Sequence, residues 1–244
     1  MTVCKLAGIT VAFEHRYPYF ERLVREYRTS GRPTVSVAVS EEEIQRETEG
    51  TRGLPPHLPD AAHRAVRESL ALYRKFAEAL PYFEGFFLHA ALFAVGGEGI
   101  AVIAPSGTGK STHLALWQQL LGDRLTVING DKPLLRRTAG DGFLGYGTPF
   151  CGKEGWHTNA AAPVRHLLLL ERAERDRITR LTPGEAFPFL FRATLPPEDE
   201  EALALLLPLL HDFLSSVQIL RAEVTMDLTA AEAAFRAVFG KEPH

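Results

Sequence analysis

Cysteine is scarce in this chain: Cys4 and Cys151 are the only two in 244 residues. Two thiols so far apart make no disulfide framework and no CxxC metal pair, a pattern that fits a reducing compartment. Long apolar runs are missing as well. No stretch reaches the ~18 residues that span a bilayer. The longest candidate, residues 202–210, is short and broken by Pro208. The start, Met1-Thr2-Val3-Cys4-Lys5, lacks the charged beginning and apolar run of a signal peptide. The expectation is a cytoplasmic protein with no membrane partner. Positive charge is not in excess either: 27 Lys+Arg against 30 Asp+Glu leave a net charge of -3. That disfavours a nucleic-acid partner, which needs a basic face. Repeats and low-complexity tracts are also absent.

What is present is globular: 45% hydrophobic and 23% charged residues, enough for one large domain or a core with a small appendage. Residues 3–13 read as a strand, 19–28 as a short helix and 33–39 as a half-buried strand of period two. Residues 40–60 are polar and carry Gly50, Gly53, Pro55, Pro56 and Pro59, which marks a loop or linker. A boundary there divides a small β/α element, 1–55, from a core, 60–244. The first part either recognises an acceptor or extends the core sheet. Asp60 stands as an N-cap before a helix over 61–80, with Val66, Leu70, Tyr73, Ala77 and Leu80 at helical spacing. Residues 86–95 read as one strand, Gly96-Gly97-Glu98-Gly99 as a tight turn and 100–104 as a second strand. A helix follows over 111–121, then a strand over 125–128, a hairpin around Gly140-Asp141-Gly142 and a core strand over 166–171. Residues 183–192, 198–217 and 230–239 read as helices, more apolar than solvated faces need, so they pack on the core or form an oligomer contact.

The chemistry starts at Ala104-Pro105-Ser106-Gly107-Thr108-Gly109-Lys110-Ser111, placed between strand and helix. A loop that turns its backbone N–H groups onto phosphate needs small residues, and the helix that follows aims its positive end at the anion. In this pattern Ser106, Gly107, Thr108 and Gly109 wrap the phosphates, and Lys110 reaches the β- and γ-phosphates. Ser111 ligates Mg²⁺, and Thr112 contacts the α-phosphate. The first position of the pattern is usually Gly and here is Ala104, a tolerated methyl unless that position needs a positive φ.

Phosphoryl transfer also needs a carboxylate, and Asp131 ends an apolar strand where such sheets open onto ligand. It is a second candidate Mg²⁺ ligand beside Ser111. The competing reading of Asn129-Gly130-Asp131 is a plain turn. His89 interrupts an apolar run, either as a satisfied core residue or as a group that orients carboxylate or phosphate. The glycine-rich stretch 145–156 offers Lys153 as a phosphate clamp and Glu154 as a ligand for Mg²⁺ or water, against an ordinary hairpin with solvated charges. Cys151 has no base beside it, Asp141 sits in a solvated turn, and His113 faces neighbours. His157 and His166 have no zinc spacing.

From His89 through 104–111 to Asp131, the chain resembles the catalytic domain of the HPr serine kinase/phosphorylase family. Closer still are HPr-kinase-like proteins, some of which phosphorylate a serine of a lasso-peptide precursor. The runs 104–113, Asn129-Gly130-Asp131-Lys132-Pro133 and 147–155 carry that resemblance, which covers residues 60–175. It implies a mixed α/β (α+β) fold of the phosphoenolpyruvate carboxykinase type, ATP and Mg²⁺ as cofactors, and catalytic roles for Asp131, His89, Lys110 and Glu154. It also implies a protein or peptide serine as acceptor, and a homo-oligomer. Two departures limit it. The family's adjacent aspartates are here Gly130 and Asp131, and its phosphorolysis signature is missing, so neither the reverse reaction nor HPr as substrate carries over. The alternatives are a non-catalytic or regulatory ATP-binding module and a phosphotransferase acting on a metabolite.

Overall fold

The computed structural model describes residues 1–47, 59–140 and 142–243, and its fold is mixed α/β. The linker expectation for 48–58 and the turn at Asp141 lie outside the described residues. The strand β10 (Ala161–Arg172) organises the larger sheet. Its first residues pair antiparallel with β9 (Gly142–Tyr146). From His166 onward it pairs in parallel with both β6 (Glu98–Ile103) and β12 (Gln218–Val224). The sheet runs β4 (Gly85–Phe87), β8 (Leu134–Thr138), β9, β10, β6, β5 (Ala90–Val95), β7 (Leu125–Asn129), with β12 on β10 and β11 (Arg177–Arg180) on β12.

The unbroken run Leu167–Leu170 follows from burial on both faces. Leu167 and Leu169 join the cluster under α5 (Pro183–Ala193) and α6 (Glu200–Ser216). Leu168 and Leu170 join Trp117 and Phe235 under α4 (Lys110–Leu121) and α7 (Leu228–Phe239). Because β5 is antiparallel to both β6 and β7, strands β6, β7, β10 and β12 all point the same way. Their carboxyl ends, and the start of β5 at His89, share one edge, where α/β sheets bind ligands.

Several elements differ from the sequence expectation. Residues 3–13 are a hairpin, β1 (Thr2–Leu6) and β2 (Ile9–Phe13), turned by Ala7 (φ 49) and Gly8 (φ 80). With β3 (Val35–Val37) they form a separate three-stranded sheet and do not extend the core sheet. This sheet and α1 (Pro18–Leu23) pack on α3 (Asp60–Ala79) in one cluster that also holds Phe87, Leu134 and Phe150. Within the supposed linker, α2 (Glu41–Arg46) forms because Ser40 and Glu43 close a capping box. Asp60 is the first residue of α3, with Pro59 at the cap; of the expected face Tyr73, Ala77 and, just beyond the helix, Leu80 are buried, whereas Val66 and Leu70 are only partly covered and Ala65, Leu72 and Phe76 complete the buried side. Residues 86–95 split into β4 and β5, and β11 and β12 were not anticipated. No helix among the described residues is long and apolar enough to cross a membrane.

Candidate active site

The loop between β6 and α4 begins without strain. Ala104 is not among the positive-φ residues, so its methyl group is accommodated. Gly107 and Gly109 do take left-handed backbone, φ 79 and 113, with Gly109 as the N-cap of α4. This brings the start of α4 back under the loop. Ser106 and Thr112 are exposed and Ser111 is half-buried, all open to a ligand.

Two side chains unremarked in the sequence hold this loop from outside. Arg172, the last residue of β10, donates from Nε to the Thr108 carbonyl (2.8 Å) and from Nη2 to the Gly107 carbonyl (3.1 Å). A planar trans peptide sets C=O and N–H on opposite sides. Fixing the Thr108 carbonyl outward therefore turns the Gly109 N–H inward. Met226, following β12, closes on Gly109, where a Cβ would lie 2.8 Å from its Cε. Asp176 steadies that turn by accepting from Thr225 N (2.7 Å) and Oγ1 (2.9 Å).

At the other end of the loop Lys110, His89 and Asp131 converge. Lys110 Nζ lies 3.1 Å from His89 Nε2, which lies 3.2 Å from Asp131 Oδ1. Lys132 pairs with Asp131 Oδ2. One nitrogen faces both partners. It accepts from Lys110 when bare and donates to Asp131 when it carries the ring hydrogen, so the two contacts belong to alternate tautomers. Burial pushes the Asp131 carboxyl up, but the His89 hydrogen bond and the Lys132 charge outweigh it and hold the group well below the usual carboxylate range. Burial lowers Lys110, opposed by Asp131 and reinforced by Lys132.

Asp131 is held by an Asx turn: Asn129 Oδ1 accepts from the N–H groups of Asp131 (2.9 Å) and Lys132 (2.7 Å), while its Nδ2 donates to Thr148. The turn expected as an alternative to function is thus the device that presents the carboxylate. The glycine-rich loop packs directly on it. Gly130 N–H donates to the Trp156 carbonyl (2.8 Å). A Cβ at Gly130 would lie 3.3 Å from Trp156 Cβ, and one at Gly152 would lie 3.1 Å from Asp131 Cβ. Trp156 therefore leaves little room for a side chain at position 130. The N-terminal segment braces this loop in turn: Asn159 donates to the Glu26 carbonyl (3.0 Å), and the rings of Tyr27 and His157 stack at 6.2 Å.

Lys153 and Glu154 are brought to the same loop but lie exposed in its turn, and neither joins the cluster around Asp131. Cys151 is buried, which pushes its thiol up and away from nucleophilic use. His113 is buried and accepts from Trp117 Nε1 (3.0 Å), and His166 bonds Gln218 and Glu98. Among the described residues no cluster of His, Cys, Asp or Glu forms a metal cage. Mg²⁺ carried by a triphosphate needs only one or two protein ligands. The ionised Asp131 and the open Ser111 hydroxyl fit that demand.

A cavity of about 350 Å³ adjoins this end, lined by His89, Ala104–Ser106, the end of β10 and Phe189, Arg192 and Ala193 of α5. Backbone contacts tie α5 to the site: His89 N–H donates to the Ala193 carbonyl at 2.7 Å.

No family model and no curated protein matches the chain. Among solved structures it is similar to the Hpr(Ser) kinase/phosphatase from Coxiella burnetii, at 13% identity and a TM-score of 0.29, over 50% of this chain and 86% of that one. A likeness at that level assigns neither activity nor site. The chemistry on offer lies in the loop 104–111 and in Lys110, His89 and Asp131, gathered at its mouth.

Proposed function

We propose that this chain is an ATP-dependent kinase that moves the γ-phosphoryl group to a hydroxyl, that of a serine in a protein or peptide, on a P-loop core of the phosphoenolpyruvate carboxykinase type. The convergence of Lys110, His89 and Asp131 at the mouth of the phosphate loop carries this reading. Backbone N–H groups of residues 106–109 and the start of α4 bind the triphosphate, with Thr112 at the α-phosphate. Lys110 neutralises charge on the β- and γ-phosphates. Ser111 and Asp131 would hold Mg²⁺, which would supply positive charge to the transferring phosphoryl oxygens. Lys153 and Glu154 close over the phosphates only by movement of their turn.

The acceptor hydroxyl attacks the γ-phosphorus as the bond to the β,γ-bridging oxygen breaks. ADP leaves with that oxygen, and the hydroxyl proton passes to Asp131, with His89 orienting the carboxylate. A carboxylate with a depressed pKa is a weak base, but a loose phosphoryl-transfer transition state demands little proton removal before the bond forms. Asp131→Asn lowers the transfer rate about 100-fold or more in a γ-labelled ATP assay with a serine acceptor. Transfer at the parental rate removes Asp131 from the mechanism.

One observation favours a second reading. Trp156 crowds the Gly130 position, leaving a single acid, as a regulatory ATP-binding module would have. Tight ATP binding with no transfer to any acceptor supports that reading.

A further inference from the structure

The cavity beside the phosphate loop is walled by Ile103 and Leu169 from the sheet and by Phe189 from α5. Its lining carries one carboxylate, Glu171, and one guanidinium, Arg192. Glu171 is engaged by Arg221 at 3.5 Å. Arg192 has no carboxylate partner among the described residues. Its Nε donates to the Pro188 carbonyl (3.1 Å), and its guanidinium lies over the Phe189 ring, 5.5 Å from the centroid. Arg221 approaches the same ring at 5.8 Å. The carbonyl and the ring hold the guanidinium through Nε and one face, on a residue that is exposed. A guanidinium oriented in advance loses little entropy on meeting a carboxylate, which it takes by two parallel hydrogen bonds.

The position of this cation matters as much as its charge. His89 lines the same cavity and touches both Lys110 and Asp131. A hydroxyl delivered to Asp131 from this side brings its neighbouring groups past Phe189 and Arg192. A volume of about 350 Å³ lies at the small end of ligand pockets, which run from roughly 300 to 1,000 Å³. That suits one or two side chains of an extended segment.

We propose that the acceptor is a peptide segment carrying an acidic residue close to its serine, and that Arg192 reads that carboxylate while the cavity takes the side chain beside it. This inference rests on the kinase reading, with the same bond changes: a new bond from phosphorus to the serine oxygen, ADP as leaving group and the proton on Asp131. Arg192 acts here as a specificity residue.

The test uses the full chain, MgATP labelled on the γ-phosphate and a positional-scanning peptide library with one fixed serine. Asp and Glu are selected about tenfold over Ala at one flanking position, the effect of a bidentate pair on an exposed arginine after solvent screening. Arg192→Glu reverses the preference at that position to Lys and Arg. Arg192→Gln flattens it. Neither changes the thermal midpoint or the affinity for a fluorescent ATP analogue. Absence of an acidic preference, or one that survives Arg192→Glu, overturns the inference and leaves the kinase reading standing. Binding of ATP with no labelling of any peptide overturns both the inference and the peptide acceptor. A parental chain that binds no ATP overturns the kinase reading itself.

Discussion

Replacing Arg172 by alanine removes the two hydrogen bonds that hold the Gly107 and Thr108 carbonyls outward, at 3.1 and 2.8 Å. Charge-assisted bonds contribute about 1.5–3 kcal/mol each when well shielded. Arg172 is exposed, so about 1 kcal/mol per bond is the fitting figure after solvent screening. Water replaces the guanidinium at both carbonyls, so no buried group is orphaned and the fold survives. The loss falls on loop order. A nucleotide must then organise the Thr108–Gly109 peptide itself, and a cost of about 2 kcal/mol weakens binding roughly 30-fold. Titration of a fluorescent ATP analogue measures this directly, beside a melting curve within a few degrees of the parent. Arg172→Lys recovers part of the affinity, because an ammonium reaches one carbonyl but lacks the fork. Salt separates the staple from simple attraction: a charge effect fades at about 0.5 M salt, whereas the loop-ordering defect persists. Affinity within about twofold of the parent at both salt concentrations would rule out a loop-ordering role for Arg172.

The same geometry sets other outcomes. Gly130→Asp, which restores the acidic pair on paper, drives a side chain toward Trp156. It costs about 1–3 kcal/mol of overpacking in urea unfolding and gives no gain in transfer; a faster enzyme of unchanged stability contradicts the crowding seen at Gly130. His113 carries a pH signature. Burial holds its pKa down at about 4, against 6.5 for the free side chain, with Asp176 opposing. Between those values the unfolded chain takes up a proton that the folded chain refuses. Stability therefore falls as pH drops from 6.5, by up to about 3 kcal/mol, and levels off below 4. Urea unfolding at pH 7 and pH 5 measures the slope. His113→Gln, which keeps an acceptor near Trp117, flattens it; equal slopes for both proteins remove His113 as the cause.

The elements that were legible from sequence are those with local signals. The helix expected over 61–80 forms as Asp60–Ala79, the turn expected over 96–99 closes within Gly96-Gly97, and the core strand expected over 166–171 lies inside the longer β10, Ala161–Arg172. The split at Leu88 and His89 was not legible. Both flanking segments are apolar on both faces, so periodicity carries no mark where the chain leaves β8's side, with Leu88 N–H on the Pro133 carbonyl, and joins β6. The strand β12 was hidden for a related reason: Gln218–Val224 becomes a strand by pairing along β10, a partner far away in sequence. At the site, His89, Lys110 and Asp131 were readable by residue type. Arg172, Lys132 and Arg192 were not, because an arginine or lysine on a strand end or helix face looks solvated until its partner is placed. The one available hint was the position of Arg172 directly after a buried strand.

The loop 104–111, which we read as a phosphate loop, is a property of the sequence itself. Its chemistry lies in contiguous backbone N–H groups, two glycines, a lysine and the helix that follows, all set by local conformation. The α/β composition and the absence of a membrane-length helix are equally local. Only the tertiary structure decided that Asp131 lies ionised against His89 and Lys132, that Trp156 closes the position beside it, and that Arg172 aims the loop. Those depend on which strand ends share an edge, and long-range pairing through β10 settles that in a way no window of sequence contains.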